Sequence, residues 1–186
     1  MNLNNVFDME TKNLLIETPA INNLNFIFDY LKINKAYKYI CDSINWDEND
    51  EEGFINSFVN PDFKDNHFWL IKRKYYLQVV GSFFCYNLNR DSNYAFMYCD
   101  LLNNRMSTNM NEKELVDYMY EVFIEAVKFF INDMKIENLF LPLYKDNLAF
   151  IFLIEQLGFR KCMDSKLYIQ KYPHDIYLYR SEPLNY

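Results

Sequence analysis

The side chains that most often carry chemistry are few and dispersed in this sequence of 186 residues. The four cysteines, Cys41, Cys85, Cys99 and Cys162, include no Cys-x-x-Cys pair, and the chain has only two histidines. Because thiolate metal sites usually need clustered cysteine or histidine ligands, we predict no metal site. Cys85 and Cys99 could face each other across a hairpin, but the favoured interpretation is a set of reduced core cysteines in a cytoplasmic protein.

Two asparagines stand where helices are expected to begin. Asn111 is followed three residues later by Glu114, which is the pattern of a capping box at a helix N-terminus. Asn147 precedes an apolar segment with helical spacing, so it suits an N-cap as well. The sequence therefore predicts one helix from residue 111 to about residue 134 and another over 148–157.

Composition and charge limit the class of protein and its partners. Hydrophobic residues make up 51% of the chain and aromatic residues 19%, which predicts one folded domain over residues 1–186 rather than a disordered chain. The net charge of −7 argues against a nucleic-acid partner. No apolar segment approaches the ~18 residues that a bilayer crossing needs, and no secretion signal is visible. We therefore expect a soluble cytoplasmic protein without a membrane partner.

The hydrophobic period changes between helical and extended spacing along the chain. Aromatic and β-branched residues favour strands before and after a turn at 89–93, and Gly81 indicates a bulge or a close backbone approach. Pro142 suits a place where its strand stops pairing. The predicted strands are 12–17, 67–73, 76–88, 94–102, 137–144, 166–172 and 175–180; further helices are predicted from Thr18-Pro19 and over 35–44, with a charged loop at 47–53.

This order of elements resembles the GNAT N-acetyltransferase superfamily from about residue 12 to residue 181. Val79-Val80-Gly81 is similar to the apolar-apolar-Gly step in a central strand of that family. The segment from Asn147 to Phe159 is similar to the family's run from an asparagine through a helix to Leu-Gly-Phe. His174-Asp175 followed by Ile-Tyr-Leu-Tyr looks like the last strand of the branch that acetylates the N-termini of ribosomal proteins.

The resemblance implies an α+β GNAT fold, in which helices flank a central mixed, mostly antiparallel, twisted sheet. Two central parallel strands splay apart in this fold; here they are the strand ending near Leu102 and the strand 137–144. Acetyl-CoA is the implied donor, and its pantetheine arm would pair with the exposed strand edge as an added strand. Its diphosphate would lie where the next helix begins.

The resemblance also implies which residues hold the donor. The family's diphosphate loop aligns with Glu114–Met119, so the implied binding residues are Val116, Asp117, Tyr118 and Met119. This segment has no glycine and carries two carboxylates, and a helix beginning at Asn111 would occupy the diphosphate site. Asn147 could bind the pantetheine arm or only cap its helix. Backbone N–H groups near Leu101 and Leu102 would polarise the thioester carbonyl.

Two catalytic groups follow from the same resemblance. Asp100 could act as a base for the incoming ammonium, or it is a solvated carboxylate or turn acceptor. The tyrosine that serves the family as an acid is replaced here by Ile154. Tyr144 could substitute as the acid, or it is an ordinary strand aromatic.

Two functions remain after this comparison. The first is an acyl-CoA-dependent N-acyltransferase, in which a primary amine attacks the thioester directly; its acceptor could be a peptide N-terminus, a lysine, an amino sugar or a polyamine. The second is a non-catalytic GNAT-like module that has lost CoA binding and uses its aromatic surface in a homodimer or another protein interface.

Overall fold

A computed structural model describes residues 8–19, 50, 52–53, 67–101, 111–162 and 176–181. Most of these residues lie in strands or in two long helices. The elements are β1 (Met9–Glu10), β2 (Leu14–Glu17), β3 (His67–Arg73), β4 (Val79–Asn89), β5 (Tyr94–Leu101), α1 (Glu112–Lys128) continued by a π-helical turn (Phe129–Asp133), β6 (Asn138–Tyr144), α2 (Leu148–Gln156), β7 (Phe159–Lys161) and β8 (Ile176–Ser181).

The strands form one mixed sheet in the order β1-β2-β3-β4-β5-β6-β8-β7. Neighbouring strands are antiparallel except for β5 and β6, which run parallel at the centre. The chain reaches β6 from β5 by way of α1, as a parallel crossover requires. This is the mixed, mostly antiparallel arrangement that the sequence predicts.

The strand β3 has its predicted bounds, and the turn over 90–93 confirms the predicted hairpin between β4 and β5. The predicted strand 76–88 begins three residues too early, because Lys74, Tyr75 and Tyr76 form a turn that the N–H of Leu77 closes on the carbonyl of Arg73 at 2.8 Å. Two short strands, β1 and β7, were not predicted, since two or three residues carry too little periodicity.

Several predicted elements lie outside the described residues. They are the strand 166–172, the helix 35–44 and all but the first two residues of the helix from Thr18-Pro19, which are described and are not helical. The loop predicted at 47–53 is wrong at Glu52 and Gly53, which are helical. The carboxylate of Asp50 accepts the N–H of Gly53 at 2.8 Å and so favours a helical turn there.

The register of β4 confirms the bulge predicted at Gly81. Ile71 pairs with Gly81 and Lys72 with Val79, so Val80 is an extra residue in β4. The same register shows that Cys85 and Cys99 are not paired with each other: Cys85 pairs with Met97 and Cys99 with Phe83. Both residues are buried, and neither forms a disulfide.

The main core lies between the sheet and the two helices. Trp69 of β3 is fully buried, with ring centroids 6.2 Å from both Phe129 and Phe130 of the π-helical turn. Phe123 of α1 lies 5.2 Å from Phe150 of α2, so the two helices share this core. No helix in the described ranges is both long and apolar enough for a membrane crossing.

Glu121 fixes α1 against the turn between β1 and β2. Its carboxylate accepts hydrogen bonds from the hydroxyl of Thr11, from the side-chain amide of Asn13 and from the backbone N–H of Asn13. Since three donors converge on one partly buried carboxylate, this contact sets where α1 lies on the sheet.

Tyr179 fixes α2 against β8 in a similar way. Its hydroxyl donates to the carboxylate of Glu155 at 3.3 Å. Burial and the neighbouring Glu155 carboxylate raise the pKa of Tyr179 to about 12, because both oppose formation of the phenolate. The neutral phenol therefore persists across the physiological pH range.

We expect Glu121→Ala to lower the free energy of unfolding by about 1–3 kcal/mol, because buried donors lose their acceptor. Urea unfolding of the variant measures this loss. Glu125→Ala is the matched control, since Glu125 lies one turn further along α1 and forms a surface pair with Lys128 that is worth at most about 1 kcal/mol. Equal losses in the two variants would contradict the role given to Glu121.

We expect Tyr179→Phe to cost about 0.5–1.5 kcal/mol at neutral pH through the lost hydrogen bond. A tyrosine whose pKa is raised in the folded state stabilises below its unfolded pKa of about 10, and this contribution is lost as the pH rises towards 12. The stability difference between wild type and variant should therefore shrink over this interval. Urea unfolding at successive pH values measures it, with Tyr120→Phe, at an exposed position of α1, as the control.

Candidate active site

The sheet opens between its two central parallel strands. β5 and β6 pair only over three positions, Tyr94 with Asn138, Ala95 with Leu139 and Phe96 with Phe140. Beyond these pairs β5 stays with β4, and β6 stays with β8 up to Tyr144. Pro142 lies in the diverging part of β6, where it has no N–H to offer a neighbour. β6 stops pairing with β5 two residues before Pro142, whereas Pro142 still pairs with Leu178 of β8, so the predicted end of pairing is confirmed on one side of the strand only.

A cavity of about 280 Å³ occupies this opening. Its walls come from both strands and from the first turns of both helices. Most of its lining is apolar, with polar groups at the β6 end. The lining residues are Tyr98, Cys99, Leu101, Leu115, Val116, Met119, Pro142, Leu143, Tyr144, Asn147, Ala149, Phe150 and Leu153.

Five of the predicted site residues line this cavity, and they come from four elements. They are Leu101 at the end of β5, Val116 and Met119 on α1, Tyr144 at the end of β6 and Asn147 at the start of α2. Asp117 and Tyr118 do not line it; the ring of Tyr118 instead lies under the Arg73 guanidinium, 5.6 Å from the ring centroid. Asp100 pairs across the sheet with Ser82, and Leu102 lies outside the described residues.

The start of α1 is closed by a complete capping box. The side chain of Asn111 accepts the N–H of Glu114 at 2.9 Å, and the carboxylate of Glu114 accepts the N–H of Asn111 at 3.1 Å. Arg73 at the end of β3 approaches the same carboxylate to 3.8 Å. The segment 114–119 is therefore helical, and from Leu115 onward its N–H groups are bonded within the helix. These N–H groups do not form a cradle for a diphosphate.

Asn147 has a double position, at the N-terminus of α2 and in the cavity wall. Its side chain accepts the N–H of Phe150 at 3.4 Å, so it caps the helix as predicted. Gly158 ends the same segment with φ of 84°, a conformation that favours glycine. The Asn147 to Phe159 segment is thus bounded by residues suited to a helix start and a helix end.

Ile154 lies on the opposite side of α2 from solvent. It is fully buried in the main core and does not line the cavity. The acid that the family places here has no counterpart at this position, whereas Tyr144 lies at the cavity rim with 49% of its surface exposed. The phenols that line the cavity are those of Tyr98 on β5 and Tyr144 at the end of β6, and neither is on α2.

Two contacts at the site were not predicted from the sequence, the lining of the cavity by Cys99 and the approach of Arg73 to Glu114. Cys99 lines the cavity because β5 leaves its partner strand there, so that residues from both of its faces reach the opening. The approach of Arg73 to Glu114 joins residues 41 positions apart, and no local pattern indicates such a contact. The described residues contain no group of three or more side chains suited to holding a metal ion.

Comparison with known proteins identifies the fold. The sequence matches no family model, and no curated protein matches it significantly. Solved structures do match. A Bacillus anthracis acetyltransferase of the GNAT family is 17% identical, with 94% of this chain and 97% of that chain covered and a TM-score of 0.62.

Two other solved acetyltransferases agree with this. A chimera of the Vibrio cholerae spermidine N-acetyltransferase SpeG with hSSAT is 12% identical, with 91% of this chain and 95% of that chain covered and a TM-score of 0.65. An acetyltransferase of Agrobacterium tumefaciens is also 12% identical, with 95% of each chain covered and a TM-score of 0.65. At these identities the likeness defines the fold, and the chain has the α+β GNAT fold that the sequence predicts.

Proposed function

We propose that this protein is an acyl-CoA-dependent N-acyltransferase that transfers an acetyl group from acetyl-CoA to a primary amine. The observation that carries the proposal is the apolar cavity between the diverging ends of β5 and β6. A thioester held in this opening would present its carbonyl to an amine entering between the same strands. The excess of carboxylates, with a net charge of −7, favours a cationic acceptor such as a polyamine or a lysine.

The proposed reaction is a direct displacement. The neutral amine nitrogen attacks the thioester carbon, the C–S bond breaks, and the products are an amide and free CoA. Asp100 is the proposed base that takes one proton from the ammonium before the attack. Tyr144 is the proposed acid that gives a proton to the leaving thiolate, and it regains one from the nitrogen as the amide forms. Backbone N–H groups at Leu101 and Leu102 are proposed to stabilise the developing oxyanion. Positioning supplies most of the remaining rate acceleration.

The two ends of the donor fit the site unequally. The apolar lining from Leu115, Met119 and Phe150 suits the pantetheine arm. The capped first turn of α1 does not suit the diphosphate, since the N–H groups of Glu114 and Leu115 are already bonded and Glu114 adds a carboxylate. Val116, Asp117, Tyr118 and Met119 could hold a diphosphate only if this turn unwinds. A diphosphate bound at this position would therefore compete with the helix start.

The same capping box favours a second candidate function, a GNAT-like module without catalysis. In that case α1 keeps its first turn permanently, and the fully buried Ile154 replaces an acid that is no longer needed. A fold does not guarantee the activity of its relatives. The two candidates differ in one measurable property, the affinity for the donor.

Calorimetric titration of acetyl-CoA and of free CoA, with thermal shift as a second readout, tests the proposed function. We expect micromolar binding of both and, in an amine screen, release of free thiol that depends on the acceptor. No binding at millimolar donor would exclude the acyltransferase and leave the non-catalytic module.

If the diphosphate of the donor binds at the start of α1, we expect Asn111→Ala to tighten donor binding by about two- to thirtyfold. Loss of an N-cap weakens the first turn by about 0.5–2 kcal/mol, and a turn that must unwind then opposes the donor less. Asn132→Ala, an exposed change at the other end of the same helical segment, is the matched control and should leave donor affinity unchanged. Equal or weaker donor binding by Asn111→Ala would show that the helix start does not compete with the donor.

A further inference from the structure

Two lysines converge on one tyrosine ring beside the cavity. The ammonium nitrogen of Lys161, at the end of β7, lies 3.2 Å from the ring centroid of Tyr177 on β8. The ammonium nitrogen of Lys145, just after β6, lies 5.2 Å from the same centroid. Cation–π attraction holds each ammonium near the ring. Both positive charges are therefore within reach of a single ligand that carries several negative oxygens.

Lys145, Lys161 and Tyr177 lie next to the opening between β5 and β6. Tyr177 pairs directly across the sheet with Leu143, and Leu143 lines the cavity. Lys145 follows Tyr144, which also lines the cavity. Since neighbouring strands are about 4.8 Å apart, the lysine pair lies one strand beyond the cavity wall. A ligand that leaves the cavity past the end of β6 would meet it.

Charge in this part of the fold differs from that of the chain as a whole. The described residues 137–162 and 176–181 carry four cationic side chains, Lys145, Arg160, Lys161 and Arg180. They carry three carboxylates, Glu137, Asp146 and Glu155. The whole chain, in contrast, has a net charge of −7. Of these carboxylates, Glu155 accepts from Tyr179. Two ammonium groups near one ring repel each other, and an anion between them would turn that repulsion into attraction.

The accessibility of the three side chains suits a binding site rather than an interior contact. Lys161 is exposed, whereas Lys145 and Tyr177 are half-buried. Tyr177 packs against the main core, which fixes the position of its ring. Lysine is a common ligand of phosphate in proteins, where it acts as a point charge.

We propose that Lys145 and Lys161, held over Tyr177, bind phosphate groups and hold the phosphate end of the donor. This inference rests on the proposed function, and it assigns to the β6–β8–β7 side of the opening the anion binding that the capped start of α1 does not offer. The donor's acyl and pantetheine parts would then lie in the cavity, with its phosphates beyond Tyr144.

The test compares acetyl-CoA with S-acetylpantetheine, which has the same thioester and no phosphate, by calorimetry. We expect the double variant Lys145→Gln/Lys161→Gln to bind acetyl-CoA at least about tenfold more weakly than wild type does and to bind S-acetylpantetheine equally well. Lys145→Arg/Lys161→Arg keeps both charges and should retain most of the affinity. Lys128→Gln, an exposed charge at the end of α1, is the control. Urea unfolding checks that each variant is folded.

The outcomes separate this inference from the proposed function. Acetyl-CoA binding that is unchanged in the glutamine double variant would overturn the lysine site and leave the acyltransferase standing. Inorganic pyrophosphate is the second probe. Binding of pyrophosphate that depends on both lysines, without any binding of acetyl-CoA, would support an anion site for free phosphates and overturn its assignment to the donor, together with the proposed function. Binding of neither probe by the wild type would overturn both.

Discussion

The separation of β5 from β6 after Phe140 is the constraint on which the rest of the structure depends. A sheet whose central strands part leaves unpaired backbone and an apolar cavity at its middle, and such groups need partners or cover. The first turns of α1 and α2 cover this opening. Glu121 and Tyr179 fix these two helices to the sheet at points outside the cavity. The opening is therefore held in shape by contacts that do not themselves occupy it.

The first turn of α1 is the feature on which the two proposed functions differ. Asn111 and Glu114 satisfy the helix start with local hydrogen bonds, and Arg73 adds a contact from β3. A helix N-terminus that is satisfied by its own side chains has less to offer an external anion. The lysine pair around Tyr177 lies on the other side of the cavity, where both ammonium groups approach one aromatic ring. The charges around the opening thus favour entry of an anion past β6 over entry past α1.

Features encoded by neighbouring residues could be predicted from the sequence. Both asparagine caps and the bulge at Gly81 depend on a few adjacent residues, and all three were found at the predicted positions. The β1 strand is stabilised by pairing with β2 and by the Glu121 contact from a distant helix, so its own sequence reveals little. Lys145, Lys161 and Tyr177 come from three separate segments, and only the folded sheet brings them together.

The two ends of the described sheet carry a consequence for solubility. β1 has two residues and β7 three, and β7 ends in Arg160 and Lys161, both exposed. Exposed strand edges with free backbone groups are templates for aggregation, and short, charged edges resist edge-to-edge pairing. Because 19% of the residues are aromatic, short and charged strand edges lower the risk of aggregation while the chain folds. The charges that we assign to ligand binding would then also keep neighbouring molecules from adding strands to this sheet.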